Sequence, residues 1–139
     1  MFITGAARGL GAATAEEFAK HGWEVFAADL VAPAAASQRI PITLDVTDSD
    51  SCAAAARVVA AHTEGLGAVI NFAGVLDLGP LMEVSEERLW RILDVNVIGT
   101  HRVNRAMFEL VRAGGGRIVN ISSSAGRFRA GLTSGPYSM

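Results

Sequence analysis

The chain is short of several things, and each shortage removes a class of explanation. Only one of its 139 residues is cysteine, so no disulfide can form within it, and Cys52 alone argues against a zinc site. Cys52 lies in Ser51-Cys52-Ala53-Ala54 and reads as a small buried residue rather than a nucleophile, which suits a reducing compartment. Aromatic residues make up 6%, which favours helices packed closely on a sheet over an aromatic-rich β sandwich. Neither sign of charge dominates: the formal net charge is −2 and the basic residues are scattered. No electrostatic grip on nucleic acid or on an acidic membrane surface is expected from that balance. Asp29, Arg57 and Glu64 interrupt the most apolar stretches, so no run approaches the length of a membrane-spanning helix. Met1 leads straight into Phe2-Ile3-Thr4-Gly5 without the cationic and apolar blocks of a signal peptide. The expected location is the cytoplasm.

What the chain does have is alternation. Half of it is hydrophobic, and short apolar runs alternate with helical periodicities, the pattern of a parallel sheet with crossover helices. The expected strands are Phe2–Ile3, Glu24–Ala28, Ile40–Leu44, Ala68–Ile70 and Arg117–Ile121. The expected helices are Leu10–Lys20, one begun by Thr47 with Asp50 as a capping pair and running to about His62, and a long one from Glu86 to about Arg112. Ser85 caps the long helix and Gly114-Gly115-Gly116 stops it. The fold class is α/β, a doubly wound parallel sheet of three layers. There is no internal repeat and no linker, so residues 1–139 are expected to form one domain. That domain is expected to be incomplete at its C-terminal side, because its first strand is short and the chain stops soon after Tyr137.

Two features point to a nucleotide. Thr4-Gly5-Ala6-Ala7-Arg8-Gly9-Leu10-Gly11 lies between a strand and a helix. Glycines there let backbone N–H groups approach a diphosphate, and the helix start adds partial positive charge. The spacing is G-x-x-x-G-x-G, not the commoner G-x-G-x-x-G. Asp29 follows the second strand, 18 residues after Gly11, where an acid can bind both adenosine ribose hydroxyls. A carboxylate there repels the extra phosphate of NADP, and Leu30 supplies no compensating charge. Arg8 pulls the other way, since it can reach a 2′-phosphate. NAD is favoured over NADP. At this point an S-adenosylmethionine methyltransferase fits as well.

Later segments separate the two classes. Asn71-Phe72-Ala73-Gly74 follows the fourth strand, and Asp94-Val95-Asn96-Val97 lies on the long helix. Arg117-Ile118-Val119-Asn120-Ile121-Ser122-Ser123-Ser124-Ala125-Gly126 precedes Tyr137-Ser138-Met139. Over nearly its whole length the chain resembles the short-chain dehydrogenase/reductase family. Thr4, Gly5, Gly9 and Gly11 meet that family's T-G-x-x-x-G-x-G. Its N-N-A-G is met by Asn71, Ala73 and Gly74, with Phe72 in place of the second asparagine, a change expected to cost local hydrogen bonds rather than the fold.

The resemblance implies a hydride passed between a nicotinamide cofactor and an alcohol or ketone. It implies that Gly5, Arg8, Gly9, Leu10, Gly11, Asp29, Asp45, Val46, Asn71, Ala73 and Gly74 bind the cofactor, with Asp45 and Val46 at the adenine. It also implies Tyr137 as general acid/base, Ser123 as hydrogen-bond donor to the substrate oxygen, and Asn96 as holder of a water that connects the site to solvent. Ser124 competes with Ser123, since their spacings to Tyr137 are 13 and 14 residues. Read without the family, these serines cap a turn, Asn96 satisfies a helix kink and Tyr137 packs. The lysine of the family's Tyr-x-x-x-Lys falls two positions beyond Met139. The full-length parent is therefore expected to be active, usually as a homo-oligomer, and this chain to be inactive. The alternative is a nucleotide-binding module without turnover. Leu76 to Met82, where they border the pocket, favour a hydrophobic alcohol or ketone.

Overall fold

A computed structural model describes residues 1–127 and 135–138. Five parallel strands form one sheet: β1 Phe2–Thr4, β2 Val25–Asp29, β3 Arg39–Thr43, β4 Ala68–Asn71 and β5 Arg117–Asn120, in spatial order β3-β2-β1-β4-β5. The helices are α1 Gly9–Lys20, α2 Ser49–Ala60, α3 Glu86–Leu93 and α4 Thr100–Ala113. This is the doubly wound, Rossmann-like arrangement expected. Strand order reverses between β1 and β4, and the crevice beyond the carboxyl ends of the strands at such a reversal is where α/β sheets bind ligands. In-register pairing sets Thr4 beside both Ala28 and Asn71, and Asn71 beside Asn120. The four residues therefore line up along the mouth of that crevice.

Alternating side chains divide the core in two. Phe2, Phe26, Ile42 and Val69 face α2 and α4, where they meet Cys52, Ala55, Val59, Val103, Met107 and Val111. Ile3, Val25, Ala27 and Ile70 face α1 and meet Ala15, with Phe18 and Phe72 packed alongside. Each fully buried large side chain contributes about 1.5–3 kcal/mol relative to exposure. Phe72 is thus a packing residue where the family motif has asparagine, and the pairing of β4 is intact. Cys52 is buried, and burial pushes its thiol up from the ordinary value, which opposes thiolate formation.

Three details differ from expectation. Asp48, not Thr47, caps α2: its carboxylate accepts from the Asp50 N–H, while the Thr47 hydroxyl donates to Asp45 Oδ1 at 2.6 Å. An aspartate one residue closer to the helix competes better for the first-turn donors, and Thr47 takes the loop-closing bond instead. The long helix is interrupted by a π-helical segment, Asp94–Gly99, between α3 and α4. Such segments insert a residue into the helical ladder and free a carbonyl, often at functional sites. Asp29 belongs to β2 as its last residue rather than following it. Among the described residues no helix is long and apolar enough to cross a membrane.

Candidate functional site

The glycine turn leaves β1 at Thr4, whose side chain is buried and whose Oγ1 accepts from the Ala73 N–H at 3.0 Å. That bond ties the turn to the Asn71–Gly74 segment across the strand-order reversal. Gly11 is packed so tightly that a Cβ on it would lie 2.1 Å from the Gly5 carbonyl oxygen. Gly9 differs: its φ of +59° favours glycine, and a Cβ there would meet nothing within 4 Å. Gly11 is therefore needed for the close approach of helix to turn, and Gly9 for a left-handed bend on an open side. Helix α1 begins after Arg8 without a side-chain cap. Its first N–H groups thus retain their capacity for an anion. Arg8 and Leu10 are exposed beside them.

Asp29 is fastened to this turn. Its Oδ2 accepts from the Ala7 N–H at 2.9 Å and its Oδ1 from the Leu30 N–H at 2.8 Å. An ionised carboxylate has about four acceptor positions. Each oxygen retains one for a further donor, which is what a vicinal ribose diol requires. Next along the crevice, Asp45 Oδ1 accepts from the Thr47 N–H at 2.8 Å, and the Asp45 N–H donates to Ser51 Oγ at 3.0 Å. Val46 is buried against the π segment, where a Cβ on Gly99 would lie 2.8 Å from Val46 Cγ2. The Arg102 guanidinium reaches both the Val46 carbonyl and, at 2.7 Å, Asp94 Oδ1.

Asn71 is 4% exposed and is the hub of a three-asparagine cluster. Its Nδ2 donates to Asn104 Oδ1 at 2.7 Å and to Asn120 Oδ1 at 2.9 Å, and Asn104 Nδ2 donates to Asn120 Oδ1 at 3.2 Å. The cluster binds α4 to the ends of β4 and β5. Asn71 Oδ1 is buried and has no hydrogen-bond partner among the described residues. Sequence reasoning missed Asn104 and Asn120. The available signal was a polar residue beside the apolar stripe of α4 (Val103, Met107, Val111) opposite another at a strand end.

Asn96 lies in the π segment. Its Oδ1 accepts from the Val75 N–H at 2.8 Å and its Nδ2 donates to the Val75 carbonyl at 2.9 Å. The side chain clamps the loop after β4, with Gly74 close by. Any water held by Asn96 would therefore rest on its backbone carbonyl, which accepts from the Thr100 hydroxyl at 3.0 Å and has a second lone pair. Ser123 follows β5 closely, and its Oγ accepts from the Ala125 N–H at 3.1 Å, capping the 3₁₀ turn Ser124–Gly126. As an acceptor there, it keeps its own proton to donate. Ser124 is exposed within the turn, while Ser123 is half-buried. Tyr137, also half-buried, lies in a turn closed by the Ser138 N–H to the Gly135 carbonyl at 3.3 Å. Among the described residues, Asn96, Ser123 and Tyr137 are not hydrogen-bonded to one another.

Fold and site together define a Rossmann-like α/β domain with a glycine turn at the sheet's reversal, an acid fixed beside it, and polar residues across the crevice. Residues 1–138 match the family model for short chain dehydrogenase, and the chain belongs to that family. It is 34% identical to galactitol 2-dehydrogenase of Agrobacterium fabrum (strain C58 / ATCC 33970), across 90% of this chain and 52% of that protein. It is 39% identical to human 17-beta-hydroxysteroid dehydrogenase type 6, across 91% of this chain and 43% of that one. Among solved structures, sorbitol-6-phosphate 2-dehydrogenase SrlD from Erwinia amylovora superposes with a TM-score of 0.87 at 27% identity, covering 99% of this chain and 59% of that one. The chain spans about half the length of the curated relatives it matches.

Proposed function

We propose that the protein containing this chain is an oxidoreductase that transfers a hydride between a nicotinamide dinucleotide and an alcohol or ketone, and that residues 1–139 form its coenzyme-binding domain. Family membership brings a nicotinamide dinucleotide, NAD or NADP, as the cofactor. The observation that carries the finer reading is Asp29, held by two backbone N–H groups with an acceptor position left on each carboxylate oxygen. A second negative charge beside that carboxylate is repelled, so the cofactor is NAD.

In this reading the uncapped start of α1, with Gly5, Arg8, Gly9, Leu10 and Gly11, holds the diphosphate, and Asp29 holds the adenosine ribose. Asp45 and Val46 flank the adenine, and Asn71, Ala73 and Gly74 line the crevice toward the nicotinamide end. Bound nicotinamide supplies the two-electron chemistry, accepting or releasing a hydride at its ring. Tyr137 exchanges a proton with the substrate oxygen through its phenol Oη. Ser123, which caps its turn as an acceptor, donates a hydrogen bond from its hydroxyl to that same oxygen. Asn96 holds a connecting water through its backbone carbonyl. The exposed Leu76, Leu78 and Met82 favour a substrate with an apolar body. Exposed Trp90, Ile98 and Phe108 along α3, the π segment and α4 fit assembly of the whole protein as a homo-oligomer. The single, buried Cys52 fits a reducing compartment such as the cytoplasm.

Calorimetric titration of the chain with NAD, NADP and S-adenosylmethionine tests this reading. Saturable NAD binding at least about tenfold tighter than NADP, a difference of roughly 1.4 kcal/mol, is expected, with no binding of S-adenosylmethionine. A folded chain that binds neither dinucleotide would sink it. In the whole protein, Tyr137→Phe is expected to remove turnover while leaving NAD affinity unchanged.

A further inference from the structure

The loop between β4 and α3 is held at three points that the nucleotide reading does not use. At its start, Val75 is clamped by both polar atoms of the Asn96 side chain. Further on, Asp77 is gripped by both arms of the Arg88 guanidinium, Nε to Oδ2 at 2.8 Å and Nη2 to Oδ1. Such a fork fixes orientation as well as distance. Arg88 is itself fixed, because its N–H donates to the Ser85 hydroxyl that caps α3. At its far end the loop folds into the 3₁₀ turn Leu81–Glu83, closed by the Glu83 N–H to the Pro80 carbonyl at 3.0 Å.

That turn is a seat. A Cβ on Gly135 would lie 2.7 Å from Leu81 Cβ, 2.9 Å from Leu81 N and 3.1 Å from Leu81 Cα. The bare backbone of residue 135 therefore rests on Leu81, closer than any larger residue permits. Pro136 follows, fully buried, and restricts the backbone of Gly135 before it. Tyr137 is the next residue, inside the turn that Ser138 closes back onto Gly135.

We infer that Asp77, Arg88 and Leu81 are positioning residues for Tyr137. The loop acts as a jig, clamped to Asn96 at one end and bearing the tyrosine's turn at the other, with the Asp77–Arg88 fork setting its path between them. The separation of Asn96 from Tyr137 is then set by this loop, whereas Ser123 takes its place from β5. The inference rests on the reading of Tyr137 and Asn96 as members of the reaction site.

Tyr137 is the only tyrosine in the chain, so ring-¹³C tyrosine gives one reporter signal. Gly135→Ala and Arg88→Met are each expected to displace that signal by more than its linewidth, with circular dichroism unchanged. Arg88→Lys, which keeps the charge but loses the fork, is expected to restore part of the displacement. Arg112→Met breaks a comparable exposed pair with Glu109 and is expected to leave the signal in place. A merely structural contribution of Arg88 would not give this graded response at one ring. If Gly135→Ala does not fold, Arg88→Met, changed at an exposed side chain, still decides. A tyrosine signal unmoved in folded Arg88→Met overturns the inference. The same samples titrated with NAD separate the two readings: a displaced ring without dinucleotide binding leaves the seat standing and removes the function, and binding with an unmoved ring does the reverse.

Discussion

The two sides of the sheet's reversal are built differently. On the β1–α1–β2 side, all of β1 and all but the last residue of β2 are buried. The glycine turn there is closed by bonds among its own neighbours, from Ala6 to Ala28 and from Ala7 to Asp29. On the β4–β5 side, β5 is the outermost strand of the described sheet. Its polar groups are joined by long-range side-chain bonds, Asn71 to Asn104 and Asn120, and Asn96 to Val75. The first side is closed by backbone geometry. The second is a scaffold whose order depends on a few side-chain bonds between residues distant in sequence.

The most damaging way to test that contrast is Gly11→Ala. The added Cβ meets a backbone carbonyl at 2.1 Å, which no rotamer relieves, so the cost is expected at the upper end of overpacking, about 3 kcal/mol. For a chain of this size that lowers Tm by roughly 10 °C and removes dinucleotide binding. A wild-type melting curve would show that turn and helix are not in close contact.

Asn104→Ala should come next. It removes an acceptor from Asn71 and a donor from Asn120, leaving a buried amide short of partners, at about 1–2 kcal/mol. Urea unfolding with an unchanged slope checks this, and an unchanged midpoint would mean that water replaces the network at no cost. Asp29→Asn is expected to matter less for folding and more for selectivity. One side-chain oxygen still accepts from the backbone, but the second acceptor and the charge are lost. NAD should bind about tenfold more weakly and the preference over NADP should largely disappear. Undiminished preference would place discrimination elsewhere, with Arg8 as the first residue to examine.

The same contrast explains what was legible in the chain itself. The β1–α1–β2 side is local: strand, glycine turn, helix and acid follow one another within the first 29 residues, and the expected bounds of its strands and helix held to within one or two residues. The position of Asp29 at the end of the second strand could be read from the chain, though its bonds to Ala7 and Leu30 could not. On the other side the determinants are distant in sequence. The polar residue beside the apolar stripe of α4 does not say which strands Asn104 reaches, those ending at positions 71 and 120, and no motif marks Asp77 and Arg88 as partners. Beyond a kink that Asn96 would satisfy, the π segment left no mark, because its residues carry ordinary helical periodicity. Its nearest signals are Gly99, whose missing side chain admits Val46, and Asn96, a polar residue whose bonds run across to the loop rather than along the helix. Local chemistry could be read; contacts closed by tertiary packing had to be seen.

The smallest expected effect is also the most specific probe of the β4–β5 side. The Arg88 guanidinium holds the Asp77 carboxyl below its ordinary value of 3.8, first through the hydrogen bonds and then through its charge, with Arg91 and the Leu78 N–H adding to it. A carboxyl depressed in the folded state contributes stability that is present above its unfolded pKa. That contribution is lost as pH falls through the folded pKa. The window therefore lies below about pH 3.8, and near neutrality the fork is fully formed. Because the pair is exposed, added salt should weaken it. A ¹³C titration of the Asp77 carboxyl is expected to give a midpoint below 3.8 in low salt, returning toward that value in Arg88→Met and partly so in high salt. The Tyr137 ring signal should shift with the same midpoint if the loop carries the change to the tyrosine. Titration of Asp77 without any response at Tyr137 would show that the fork orders its own loop and nothing beyond it. The β4–β5 side would then consist of independent local contacts rather than one connected scaffold.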